Sequence, residues 1–258
     1  MQKRVACITG ASSGIGRTSA VALAKTGQWR IVLSGRREQE LEKTAQMCRD
    51  AAGSTNGDGD LTLIVAGDVS EESNVESLFD AIKKTYGRVD MLFNNAGISL
   101  PETPIEDLPI EKFLSVMSIN VTASVLCTKY ATRLMKSQEP KGGRIINNGS
   151  IAAYSPRPDA AAYTISKHAI SGLTKSTSLD GRKYDIACCQ LDIGNAATEM
   201  GGGAANGVTQ ADGSKKPEPV FDVQQVGDAI VFMAGLPLGA NAFNVTLTSS
   251  AMPFIARG

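Results

Sequence analysis

An apolar run, Arg4-Val5-Ala6-Cys7-Ile8-Thr9, leads straight into glycines at positions 10, 14 and 16 and then into an apolar-periodic stretch through Leu23. The run reads as a buried strand and the periodic stretch as a helix, joined by a turn that only glycine makes easily. Three glycines there let the backbone turn tightly and approach a pyrophosphate, while the helix N-terminus offers unpaired N–H groups and a partial positive charge. Gly10, Ser12, Ser13, Gly14, Ile15 and Gly16 are therefore candidate dinucleotide-binding residues. Their spacing is GxxxGxG, distinct from the GxGxxG of longer dinucleotide-binding proteins.

The same alternation continues along the chain. Strands are expected at 30–33, 61–66, 89–93, 144–148 and 186–191, separated by helices after Arg37, at 73–86, 110–137 and 162–183. Alternating strands and helices imply an α/β fold with a parallel sheet covered on both faces. At 258 residues, the chain fits one such domain. Residues 200–219, with Gly201, Gly202, Gly203, Gly207 and Gly213 and few large apolar residues, are expected to bury little and to be mobile.

The 26 basic and 26 acidic side chains cancel without forming a like-charged block, so nucleic acid and anionic membranes find no electrostatic footprint. No apolar run near the N-terminus reads as a leader and none is read as a membrane span, which makes a soluble, cytoplasmic protein the expectation. Cys7, Cys48, Cys127, Cys188 and Cys189 lack metal-ligand spacing and read as reduced, buried thiols; no metal is expected.

Two further features carry chemistry. The second strand ends in Ser34-Gly35-Arg36-Arg37, where an acid would bind the 2′-hydroxyl of NAD and an arginine the 2′-phosphate of NADP. Two arginines point to NADP(H), with Arg36 as the principal contact. Tyr163 and Lys167 stand four apart, on one face of a helix, with Ser150 thirteen residues before Tyr163. A tyrosine ordinarily titrates near about 10, and a neighbouring ammonium favours its phenolate, bringing the group towards neutral working pH.

With the glycine turn, Asp68-Val69, Asn94-Asn95-Ala96-Gly97, Asn120, Ser150, Tyr163 and Lys167 in this order, the chain resembles the single-domain branch of the short-chain dehydrogenase/reductase superfamily over residues 4 to about 200. The resemblance implies a Rossmann-type doubly wound sheet over 1–258 and a substrate lid at about 195–219. It assigns Tyr163 as proton donor, Lys167 to the nicotinamide ribose, Ser150 to the developing oxyanion and Asn120 to a water that joins Lys167 to solvent. Asp68 and Val69 would meet adenine, Asn95, Ala96 and Gly97 the adenosine side, and Gly194 and Thr198 the nicotinamide carboxamide. Ile98, Ser99, Ile151, Ala152 and Tyr154 are expected to face a small-molecule substrate, together with Ser150 and Tyr163. His168, next to Lys167 but about 100° around the helix from it, is expected to serve packing or an interface.

Two departures from the family pattern stand out: Ile193-Gly194-Asn195 where Pro-Gly is usual, and a C-terminal stretch from Phe243 without the usual glycine-rich strand and turn. The activity implied is NADPH-dependent reduction of a carbonyl on a small apolar or cyclic molecule, or the reverse. Alternatives are imine or alkene reduction or cyclisation on the same scaffold, or a non-redox NADP(H) sensor. A homo-dimer or homo-tetramer is also implied, through the helices at 110–137 and 162–183, with Ala123, Ala161 and Ala169 permitting close packing.

Overall fold

Successive residues of the first strand point to opposite faces, and both faces are apolar: Val5 and Cys7 join one buried cluster, Ala6 and Ile8 another. Such a strand is stable only in the middle of a sheet that is covered twice. The computed structural model describes residues 3–53, 61–198 and 202–255. Most of the expected 53–60 loop, the first residues of the glycine-rich segment (200 and Gly201) and residue 199 of the expected lid lie outside the described residues, as do the two termini.

In chain order the strands are β1 (Arg4–Thr9), β2 (Trp29–Gly35), β3 (Thr62–Ala66), β4 (Met91–Asn94), β5 (Gly143–Asn148), β6 (Ile186–Ile193), β7 (Val208–Thr209), β8 (Lys215–Lys216) and β9 (Asn244–Leu247). The helices are α1 (Gly14–Lys25), α2 (Glu38–Ala51), α3 (Glu72–Tyr86), α4 (Ile110–Met117), α5 (Ala123–Ser137), α6 (Ala161–Gly181) and α7 (Gln224–Gly235). Seven strands form one parallel sheet in the order β3-β2-β1-β4-β5-β6-β9, a Rossmann-type α/β fold, while β7 and β8 pair as a small antiparallel ribbon. Leu23 of α1, Leu41 and Ala45 of α2 and Ile230 of α7 close one face. Val75 and Phe79 of α3 and Cys127 and Ala131 of α5 close the other. The strand order reverses direction between β1 and β4, and the crevice at their carboxyl ends is where such sheets bind ligands.

Several expectations are corrected. The helix read over 110–137 is interrupted by a π turn, Ser118–Thr122. That stretch is also long and apolar enough to cross a membrane by length and composition, with a mean hydropathy of 1.3, contrary to the reading that no run qualifies. Within it Val116, Cys127, Ala131 and Met135 are buried in the fold, whereas Ile110, Leu114 and Val125 are exposed. Ala123, expected at an interface between subunits, is buried inside its own chain.

The C-terminal stretch without a recognisable strand supplies β9, which pairs with β6 from Gln190↔Asn244 to Ile193↔Leu247. Its half-exposed NVTL sequence suits an edge strand, and its polarity is what hides it in the sequence. β6 itself continues two residues beyond Leu191, to Ile193. The described part of 200–219 holds a 3₁₀ turn (Gly202–Asn206) and the β7–β8 ribbon. All five cysteines are free and buried; burial raises the Cys48 and Cys127 thiols to about 12.

Candidate active site

The glycine turn follows β1 as the spacing requires. Gly10 and Gly14 have φ of +64° and +50°, backbone conformations that residues with a side chain rarely adopt. Gly16 is needed for a different reason: a Cβ there would overlap the Gly10 carbonyl oxygen and come within 2.6 Å of Asn95 Nδ2. Ser13 precedes α1 without a side-chain cap, so the first-turn N–H groups of α1 are left for another acceptor. Arg37 Nη2 donates to Ser12 Oγ at 3.0 Å and Ser13 Oγ at 2.7 Å. Arg36 is mostly exposed, 3.9 Å from the Asp68 carboxylate. Asp68 in turn accepts from the main-chain N–H and hydroxyl of Ser70. Arg36, Arg37, Asp68 and Val69 border the same crevice as the glycine turn, so an uncapped helix N-terminus and two guanidinium groups stand ready for a phosphorylated dinucleotide.

One cavity of 710 Å³ runs from this turn to Tyr163. Its walls include every residue expected to bind cofactor or substrate except Gly16, Asn120 and Tyr154. Tyr163 and Lys167 share a face of α6, with Lys167 Nζ 5.4 Å from the centre of the Tyr163 ring. Lys167 is buried and donates to the Asn148 carbonyl at 2.8 Å. Ser150 begins a short 3₁₀ turn, Ile151–Ala153, accepting from Ala152 N–H at 3.1 Å.

Asn95 ties strand ends together rather than offering its amide to a ligand. Its Nδ2 donates to the carbonyls of Thr9 and Gly10, and its Oδ1 accepts from Asn148 Nδ2. Asn120 sits on the π turn, accepting from Ile98 N–H and donating to Ile98 O and Ser166 Oγ. Its side chain thus braces the Ile98 wall against α6. Tyr154 is not at the cavity: it is half exposed and bonded to Asp192 Oδ2. His168 is exposed and bonds the Thr164 carbonyl of its own helix.

Sequence reasoning missed the groups that hold the cover of the site. Glu218 is buried, and its Oε2 accepts from Arg157 Nη2 at 2.5 Å and Asn195 Nδ2 at 2.9 Å. Asn195 directly follows Gly194, so this anchor lies beside the atypical Ile193-Gly194 step. At the other end of the segment, Glu102 accepts from the N–H and hydroxyl of Thr209. Ala204 and Val208, which precede both Thr209 and Glu218 in the chain, line the cavity. A lone glutamate in a glycine-rich stretch gives no local sign of burial.

Burial by itself raises the Glu218 carboxyl, but the hydrogen bonds from Asn195 and Arg157 and the guanidinium charge outweigh it and hold the group at about 2. A depressed carboxyl stabilises the fold above its unfolded value of about 4.3, and that contribution is lost as pH falls through the folded value. Glu218→Gln should therefore melt about 3–12 °C below the parent at pH 7, taking about 1.5–3 kcal/mol for a charged hydrogen bond. The gap should close on acidification towards pH 2. Thermal midpoints across pH 7 to 2 check this, and a gap that does not narrow contradicts it.

The model of the family described as short chain dehydrogenase matches residues 4–207. A "3beta-hydroxysteroid dehydrogenase" of Mediterraneibacter gnavus is 34% identical over 186 residues, 72% of this chain and 63% of that protein. The solved actinorhodin polyketide ketoreductase with NADPH superposes with a TM-score of 0.82 at 25% identity, covering 95% of this chain and 96% of the other. A 3-ketoacyl-(acyl-carrier-protein) reductase from Brucella melitensis, complexed with NADH, has the same fold, with a TM-score of 0.82 at 24% identity over 96% of this chain and 98% of that one. The chain belongs to the short-chain dehydrogenase/reductase family of oxidoreductases, which act on CH–OH and C=O groups.

Proposed function

We propose that the protein is an NADPH-dependent reductase of a ketone or aldehyde on a small apolar or cyclic molecule, or catalyses the reverse oxidation. The observation that carries this reading is the meeting of Tyr163, Lys167 and Ser150 on one cavity that begins at the glycine turn. When bound, the nicotinamide supplies the hydride. Tyr163 donates its phenolic proton to the carbonyl oxygen as negative charge develops there. Lys167, one turn along α6 with its Nζ 5.4 Å from the centre of the Tyr163 ring, would hold the ribose. Ser150 donates to the same oxygen, the kind of fixed dipole that stabilises charge better in a closed site than water does. The apolar walls formed by Ile98, Leu108, Ile151 and Val208 suit an uncharged substrate, and the Arg157 guanidinium in the same cavity is paired with Glu218.

Fold likeness does not choose between coenzymes, since similar solved structures hold NADPH or NADH. The arginines favour NADPH. Arg37 is steadied by Ser12 and Ser13 at the mouth of the turn, and Arg36 is free to swing from Asp68, so the two can close on a 2′-phosphate together.

Tyr163→Phe should lower kcat by about 10²- to 10⁴-fold, the usual worth of a general acid, with NADPH affinity nearly unchanged. Initial rates of NADPH oxidation over a panel of cyclic ketones and aldehydes, with coenzyme binding measured on the same preparation, check this. More than about a tenth of the parent rate would remove Tyr163 from the mechanism.

NADPH should bind at least about tenfold more tightly than NADH, since a charged hydrogen bond contributes about 1.5–3 kcal/mol and 1.4 kcal/mol is about tenfold. Arg36→Leu and Arg37→Leu should each weaken NADPH while sparing NADH. Equal parent affinities, or equal losses for both coenzymes, would return the arginines to the solvated strand end. We further propose a homo-oligomer, because α4 and α5 expose Ile110, Leu114 and Val125 while α6 exposes Ile165 and Leu179. Light scattering should give two or four times the chain mass at micromolar concentration.

A further inference from the structure

We infer that Asp192 is a positioning residue for this reaction: its carboxylate fixes the main chain of Ser150 and so holds the Ser150 hydroxyl at the cavity wall. The inference rests on the role proposed above for Ser150. Asp192 is the penultimate residue of β6, wholly buried two residues after the buried Gln190, and among the described residues it forms no ion pair. A buried carboxylate without a cation is costly unless hydrogen bonds replace its water. Three donors do so. Ser150 N–H reaches Oδ1 at 2.9 Å, Gln190 Nε2 reaches the same oxygen at 2.6 Å, and the Tyr154 hydroxyl reaches Oδ2 at 2.9 Å.

Each donor is itself supported. Gln190 also donates to Ser171 Oγ and accepts from Thr174 Oγ1, both on α6, the helix of Tyr163 and Lys167. Tyr154 accepts from Asn244 Nδ2 of the edge strand β9. Burial, and then the bond to Asp192, raise the Tyr154 phenol above its ordinary value, which keeps it a donor through neutral pH. The chain before Ser150 is shaped to the same carboxylate: a Cβ on Gly149 would overlap Asp192 Oδ1, so glycine lets the main chain come close enough to bond.

Ser150 is thereby gripped at two points, its N–H by Asp192 and its hydroxyl oxygen by Ala152 N–H. Without Asp192 the first grip is lost, and the Ser150 N–H and one of the two N–H groups of Gln190 Nε2 lose their acceptor. The 3₁₀ turn that carries the hydroxyl can then shift, and a misplacement of about 1 Å can cost about a hundredfold in rate.

The test uses the whole protein and the NADPH-oxidation assay, with Asp192→Ala, Asp192→Val and Asp192→Asn made alone and combined with Ser150→Ala. Asp192→Ala and Asp192→Val should lower kcat about tenfold or more while NADPH affinity stays within about twofold, because the glycine turn is untouched. Asp192→Asn keeps an acceptor for Ser150 by turning its NH₂ towards Tyr154, and should stay within about threefold of the parent. In the Ser150→Ala background the Asp192 substitutions should change the residual kcat by less than about twofold, the non-additivity of two residues acting as one. Equal losses in both backgrounds, or full activity in Asp192→Ala, would overturn the inference. If Ala and Val do not fold, Gly149→Ala, whose Cβ would overlap Asp192 Oδ1 and break the same bond, takes their place: a loss of kcat that vanishes beside Ser150→Ala supports the inference, and an equal loss in both backgrounds, or none, overturns it. Parent-like activity in Ser150→Ala alone would instead overturn the reading of Ser150.

Discussion

A chain of hydrogen bonds across the carboxyl ends of three strands connects the two halves of this site. Asn95, just after β4, donates to the Gly10 carbonyl after β1 and accepts from Asn148 at the end of β5, whose carbonyl receives Lys167. The glycine turn and the lysine of α6 are thus held in one register although they lie over 150 residues apart in sequence. A buried hydrogen bond adds only about 0.5–1.5 kcal/mol net, but leaving a partner unsatisfied costs about 1–3 kcal/mol, so the chain resists being opened at any one link. Thr9 reinforces it, its hydroxyl accepting from the N–H groups of both Asn95 and Ala96.

Around this connection the sheet supplies rigidity and the loops supply chemistry. Strands apolar on both faces leave no freedom of register, since slipping by one residue would exchange the two buried clusters. The groups that open on the cavity stand at strand ends, in the loops after them and on the first two turns of α6. The segment that lines one side of the cavity is held by Glu218 to Arg157 and Asn195, by Thr209 to Glu102, and by the buried Ala204.

Sequence spacing carries far where the physics is local. Gly10 and Gly14 are legible because a positive φ is a property of one residue, and Tyr163 with Lys167 because four residues make one helical turn. The sheet is legible because strands buried on both sides must be apolar. β9 escapes the same logic: half exposed and polar, it gains its place only by pairing with β6. The Asn120 amide is equally opaque, because its partners Ile98 and Ser166 come from two distant segments.

The sequence by itself determined the family fold, the glycine turn and the tyrosine–lysine helix, since each follows from residue type at short spacing. Only the tertiary structure decided which polar groups are buried together. It turned Tyr154 away from the cavity to Asp192, moved Ala123 into the core, and made Glu218 of a glycine-rich segment an anchor rather than a surface charge. The reason is that desolvation and hydrogen bonding depend on what surrounds a group in space. A carboxylate at the end of β6 reads as an oddity until Ser150, Gln190 and Tyr154 converge on it.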